Sequence, residues 1–219
     1  MATRLLLAEL VQAWQARGGE PVQMNSVGGV DAARRVAAGE PFDVVVLASD
    51  AIDRLIASGH ALAGSRIDLV HSGVAVAVRA CAETPDLSSE AAVRAAVLAA
   101  PSLSYSTGPS GVALAALFER WGVMDAICSR IVTPPPGVPV GTLVASDQVA
   151  LGFQQLSELI HVEGITIAGP LPDAIQIDTV FSGAVCTTCT QPATVRNLLA
   201  FMASPVAADA KQRQGMTPA

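Results

Sequence analysis

The chain has 219 residues, 51% of them hydrophobic and only 15% charged, a length and composition for one large or two small folded domains and not for a disordered chain. Thirteen basic residues against nineteen acidic ones leave a net charge of −6, which provides no basic face for a phosphate backbone and excludes nucleic acid as a partner. No apolar run approaches the ~18 residues of a membrane span, so no integral membrane segment is expected.

Arg4–Arg17 opens the chain as an amphipathic helix, with Leu6, Leu7, Leu10, Val11 and Trp14 on one face. Glu9 cuts short a run that begins like a signal peptide, and no small-residue cleavage site follows. The chain as given therefore reads as cytoplasmic, or as periplasmic if residues precede Met1. A short strand is expected near Val22–Met24, then the turn Ser26-Val27-Gly28-Gly29 and a helix near Asp31–Ala38. Val44–Leu47 is a continuous apolar run between turn signals, the pattern of a strand buried on both faces. Ser49 or Asp50 would cap the helix that follows.

Farther along, Leu69–Val78 reads as a strand, Ser88-Ser89-Glu90 opens an Ala-rich helix to about Ala100, and Leu103–Ser106 is a strand. The turn Thr107-Gly108-Pro109-Ser110-Gly111 leads into a helix ending at Trp121, and Pro134-Pro135-Pro136-Gly137 is a stiff connector. A helix at Thr142–Ser146, strands at Val149–Phe153, Ile165–Ala168 and Ile175–Phe181, and helices at Ala193–Ala203 and Val206–Gln214 complete the chain. Alternating strands and helices define an α/β protein with parallel sheets. In such sheets ligands lie beyond the carboxyl ends of the strands, where Ser26–Asp31, Leu47–Asp50 and Ser106–Gly111 would fall.

Ser104–Gly111 is the most specific local signal. Unpaired N–H groups at a helix start attract an anion, Gly108 and Gly111 permit close approach, and Ser106, Thr107 and Ser110 add hydroxyls. The same segment also reads as a capped turn that holds only its own helix. No G-x-G-x-x-G follows a strand and no Gly-Lys-Ser/Thr occurs, so nucleotide binding is not expected. Gln154 and Gln155 follow an apolar strand, and an amide both donates to a carboxylate and accepts from a hydroxyl. Asp50, Glu158 and Tyr105 are the candidates for a base. Cys186-Thr187-Thr188-Cys189 has C-x-x-C spacing but follows a late strand, and reads as incidental. His60, His71 and His161 stand apart, and neither a metal nor a cofactor is expected.

Several stretches resemble the type II periplasmic solute-binding proteins, and within them the molybdate-binding branch. Gly28–Asp50 is similar to that branch's run of binding loop, helix, "A-G-x-P-x-D" and strand, read here from Ala38-Gly39-Glu40-Pro41-Phe42-Asp43. Pro109-Ser110-Gly111 matches a "P-A-G" turn, Ala150–Glu158 an "A-x-G-I-V-Y-x-S-D" stretch, and Asn197–Pro205 the closing helices. The resemblance implies a two-lobed fold, each lobe a mostly parallel sheet flanked by helices, with two crossover strands. Residues 1–78 and 175–219 would form one lobe and 79–174 the other. It implies a small anion in the cleft, an ABC transporter permease as partner, and a ligand set of Thr3, Ser26, Gly28, Gly29, Ser49, Ser106, Thr107, Ser110, Gly111, Gln154 and Gln155. Two departures bear on the ligand. Gly28-Gly29-Val30-Asp31 replaces a hydroxyl-rich loop, and Gln155 stands where a cleft Tyr is usual. Asp31 is expected to cap its helix. The implied function is solute binding, of an organic carboxylate or a molybdate-like oxyanion. The alternative is an isomerase of the aconitate isomerase type, since some proteins similar to this branch move a double bond in a tricarboxylate by proton transfer.

Overall fold

The computed structural model describes residues 2–135 and 137–219. The chain divides into two compact units, one running to Ser72 and resuming at Thr179–Ala219, the other the unbroken stretch Gly73–Asp178. Sequence reading puts these divisions at 78/79 and 174/175.

The first unit begins with α1 (Arg4–Ala16), which buries Leu6, Leu10 and Val11. These meet Leu69, Val70, Leu198, Met202 and Ala210 in one apolar cluster. Trp14 donates its indole N–H to the Glu20 carbonyl at 3.0 Å and lies against Phe201. Gly19 passes so close that a Cβ there would stand 2.2 Å from the Trp14 ring, so only glycine fits. Gly19 to Gly28 then runs without regular structure. The expected strand at Val22–Met24 does not form. A strand exists through its ladder, and among the described residues no neighbour pairs with this segment.

α2 (Gly29–Ala37) leads to β1 (Val44–Ala48) and, with no intervening loop, to α3 (Ser49–Ala57). Ile52 and Leu55 pack on Val45 and Leu47. β1 lies at the end of the strand order and pairs antiparallel with β6 (Asp178–Val185), from Val44↔Val185 to Ala48↔Phe181. β2 (Ile67–Arg79) gives its first half to this unit and its second half to the next.

In the second unit come α4 (Glu90–Ala99), β3 (Leu103–Tyr105), α5 (Pro109–Arg120), α6 (Met124–Ile127) and α7 (Val140–Ala145). β4 (Leu151–Gln155), α8 (Leu156–Leu159) and β5 (Ile165–Pro170) follow. β3 and β4 run parallel, while β4 and β5 pair antiparallel with β2. The two faces of this sheet can be assigned from the alternation of strand residues. Val74, Val76, Val78, Leu103, Leu151 and Phe153 join Val93, Val97, Leu114 and Phe118 of α4 and α5. Ala75 and Ala77 face Leu159 instead. Gly152 meets Val140 and Val144 of α7, where a Cβ would come within 2.6 Å.

The chain returns to the first unit through β6 (Asp178–Val185) and ends in α9 (Pro192–Ala203), α10 (Ala208–Arg213) and β7 (Thr217–Pro218), which pairs with β2. The sheets are mixed and not mostly parallel. Each antiparallel pair above includes β2 or β6, the strands that carry the chain out of the first unit and back. The expected strand at Ile175 begins three residues later, because Asp173–Ile175 forms a 3-10 turn that buries Ile175. Among the described residues no helix is long and apolar enough to cross a membrane.

Candidate functional site

In the second unit the site grows from the carboxyl end of the parallel pair β3–β4. β3 stops at Tyr105, and Ser106–Gly108 turns the chain into α5 with Pro109 at its first position. Proline costs nothing there, because its missing N–H would have had no partner within the helix. No side chain caps α5. Gly111 and Val112 both give their N–H to the Gly108 carbonyl, which leaves the Ser110 N–H without a partner among the described residues. The turn is held tightly, since a Cβ on Gly111 would lie 1.5 Å from the Ser106 carbonyl oxygen. The Ser106 and Ser110 hydroxyls stand 3.1 Å apart, Ser110 buried and Thr107 exposed. The turn thus offers uncharged donors at a positive helix end.

Both glutamines are 5% exposed, but they serve different faces. Gln154 points with Gly152 toward α7, where its amide oxygen accepts from the Gly141 N–H at 3.3 Å and its amide also bonds the Glu158 carboxylate. Its hydrogen-bonding groups are thus engaged within the unit. Gln155 has the parity of Leu151 and Phe153, the face on which α5 packs. Its amide has no hydrogen-bond partner among the described residues, and it sits at the same strand end as the Ser106–Gly111 turn.

A recess of about 180 Å³ adjoins this turn, lined by Ser106, Thr107 and Gly111 and also by Tyr105, Val112, Ala115, Ile131 and Thr133. Thr133 carries no signal in the sequence, where it stands between an apolar pair and a proline run. Burial and the nearby Glu119 carboxylate push the Tyr105 phenol above its ordinary range.

In the first unit, Gly28 precedes α2 and Gly29 begins it, while Ser49 begins α3. The start of α2 lies against β1, since a Cβ on Gly29 would touch the Leu47 side chain at 3.7 Å, and α3 begins two residues after Leu47. Ser26 lies in the exposed segment before α2, and Thr3 is buried at the start of α1. Thr3 gives its carbonyl to the Leu7 N–H. Two expectations change here. Asp31 does not cap α2 but pairs with Arg34, and neither Ser49 nor Asp50 caps α3, where Ala48 precedes the helix and Asp50 pairs with Arg54 at 2.8 Å. An i,i+3 or i,i+4 arginine competes successfully for each carboxylate.

Of the proposed bases, Asp50 is tied in that exposed ion pair. Burial holds the Glu158 carboxyl above its usual range, opposed by the hydrogen bond with Gln154 on the α7 face. Cys186 is buried and its thiol is pushed up to about 12, by burial first and then by Cys189 and Asp43. Burial raises Cys189 as well. Both cysteines are free. No group of three His, Cys, Asp or Glu is placed to hold a metal among the described residues.

A family profile described as "Bacterial extracellular solute-binding protein" matches residues 1–217. The chain belongs to the bacterial extracellular solute-binding protein family. Among relatives of this solute-binding protein, an aconitate isomerase from Pseudomonas sp is 41% identical over 185 residues, which span 84% of this chain and 70% of that protein. The periplasmic molybdate-binding protein of Azotobacter vinelandii shares its fold, with a TM-score of 0.79 at 21% identity over 99% of this chain and 95% of that one. Iron-bound HitA from Pseudomonas aeruginosa has a TM-score of 0.67 at 16% identity, over 94% and 79% of the two chains. The solute-binding protein therefore has the α/β fold of the type II periplasmic binding proteins, used in this group for small solutes.

Proposed function

We propose that this solute-binding protein holds a small organic carboxylate. The observation that carries this reading is the uncharged donor set at the β3–β4 carboxyl end. The open Ser110 N–H and the Ser106, Thr107 and Ser110 hydroxyls share a strand end with the unpartnered amide of Gln155. A planar carboxylate takes two hydrogen bonds from such donors, and its charge is favoured by the α5 terminus. Gly28, Gly29, Ser26, Ser49 and Thr3 of the first unit belong to the proposed ligand set. Gln154 is its weakest member, because its amide is already engaged. A tetrahedral oxyanion also accepts hydrogen bonds from neutral donors. The loss of hydroxyls at Gly28-Gly29-Val30-Asp31 and the glutamine at 155 favour the carboxylate. An ABC transporter permease is the partner this reading requires for transport.

A second reading, isomerisation of a small tricarboxylate, is favoured by the 41% identity to an aconitate isomerase. It requires a base that removes a proton from one carbon and an acid that returns one to another as the double bond moves. Tyr105 is the ionisable side chain lining the recess.

Calorimetry with succinate, citrate, the aconitate isomers and molybdate tests the proposal. Heat of binding from at least one di- or tricarboxylate, lost more than tenfold in Ser110→Ala with Gln155→Ala, is the expected result. Submicromolar molybdate binding with no response to any carboxylate overturns it. Interconversion of aconitate isomers followed by ultraviolet absorbance decides for the second reading.

A further inference from the structure

The recess beside the Ser106–Gly111 turn shares Ser106, Thr107 and Gly111 with the carboxylate donors and extends past them to Val112, Ala115 and Ile131. Its half-buried floor is Tyr105, Ala115 and Ile131, and its exposed rim includes Thr107, Val112 and Thr133. The floor is carbon, apart from the one phenol. A volume of about 180 Å³ is more than ten times the roughly 10–15 Å³ that a single water requires. Tyr105 is fixed from behind by an edge-on contact with Phe118 at 5.8 Å, and Phe118 is itself fully buried against Phe153. The Tyr105 and Ala115 parts of the wall are therefore set by β3 and α5, while Ile131 and Thr133 reach it from outside the helices and strands. No cation lines it, and the Glu119 carboxylate acts on Tyr105 from nearby.

We propose that this recess is a subsite for the uncharged carbon body of the ligand, so that the protein selects among organic acids by the carbon arm next to the carboxylate held at the turn. This rests on the carboxylate reading above and adds a direction to it. The turn takes the charged end, and the wall of Val112, Ala115 and Ile131 takes the arm. A second negative charge on that arm is disfavoured by Glu119 and by the absence of a partner. Each methylene that leaves water for such a wall strengthens binding about fourfold.

Succinate and 2-propylsuccinate make the test, because they carry the same two carboxylates and differ by a three-carbon arm. Calorimetry on the full chain is expected to show 2-propylsuccinate binding at least tenfold tighter. Val112→Trp, at a position 69% exposed, and Ala115→Met fill the recess from two sides. Each should cut that ratio below threefold while changing succinate affinity less than twofold. Tyr105 is the only tyrosine of the chain, so a ring-labelled sample gives an unambiguous nuclear magnetic resonance signal. That signal should move with 2-propylsuccinate and stay with succinate. Equal affinities for the two acids, or a ratio that both variants leave intact, overturns the subsite and leaves carboxylate binding standing. Absence of binding by either acid, by citrate and by the aconitate isomers removes the carboxylate reading and the subsite with it.

Discussion

Two polar atoms are sealed in the units without a hydrogen-bond partner among the described residues, Lys211 Nζ and Ser104 Oγ. Lys211 is 0% exposed, and burial lowers its pKa. The unfolded chain then binds a proton that the folded chain releases, and stability rises with pH between the folded pKa and the unfolded value near ~10.4. Lys211→Met should stabilise the protein by on the order of 2 kcal/mol at neutral pH and flatten that rise. Urea unfolding across a pH series up to the unfolded value checks both effects, and a variant no more stable than the parent would show that the amine finds water. Ser104 faces away from Leu103 and Tyr105, opposite Gly152. Ser104→Ala removes an unsatisfied hydroxyl without opening a cavity, and should raise the urea midpoint by the equivalent of about 1 kcal/mol.

At the scale of elements, the β3-turn-α5 unit is built around one forbidden volume. Gly111→Ala sets a methyl against the Ser106 carbonyl, and backbone on both sides must give way. We expect a loss of about 1–3 kcal/mol in stability, as for overpacking in general. Succinate affinity should fall more than tenfold, since the Ser106 and Ser110 hydroxyls move apart. Thermal melting and calorimetry on one sample separate the two effects, and a variant with unchanged affinity would show that the turn does not hold the ligand. The elements themselves were legible where periodicity and punctuation agreed. Val44–Ala48 announced itself by an unbroken apolar run, and Pro109 with Gly108 marked the start of α5. Val22–Met24 has strand residues but no ladder, and pairing with distant residues is not written in local sequence. The glutamine pair shows the same limit at the site. Strand alternation separates Gln154 from Gln155, but only the fold shows that one side is α7 and the other α5. Ile131 and Thr133 join the recess from the short segment before the Pro134–Gly137 connector, which carries no signal of its own.

Across the whole molecule, the second unit is one unbroken stretch and the first is written in two pieces. Gly73–Asp178 carries β3, β4, β5 and the residues 73–79 of β2 that pair with them, together with its own Phe118-centred core. That stretch expressed alone should unfold cooperatively in urea, and residues 1–72 alone should not. A featureless melt of 73–178 would show that the second unit needs the first. The division has a consequence for synthesis. Val44–Ala48 leaves the ribosome early, yet its ladder partner Phe181–Val185 is made only after the entire second unit. At ordinary elongation rates that interval is on the order of ten seconds. During it, five apolar residues suited to β-pairing wait for their ladder partner, while the second unit is free to fold first. The risk to a newborn molecule is thus concentrated in one short segment, and crowding of neighbouring nascent chains on a polysome, where identical segments meet, is the circumstance that would expose it.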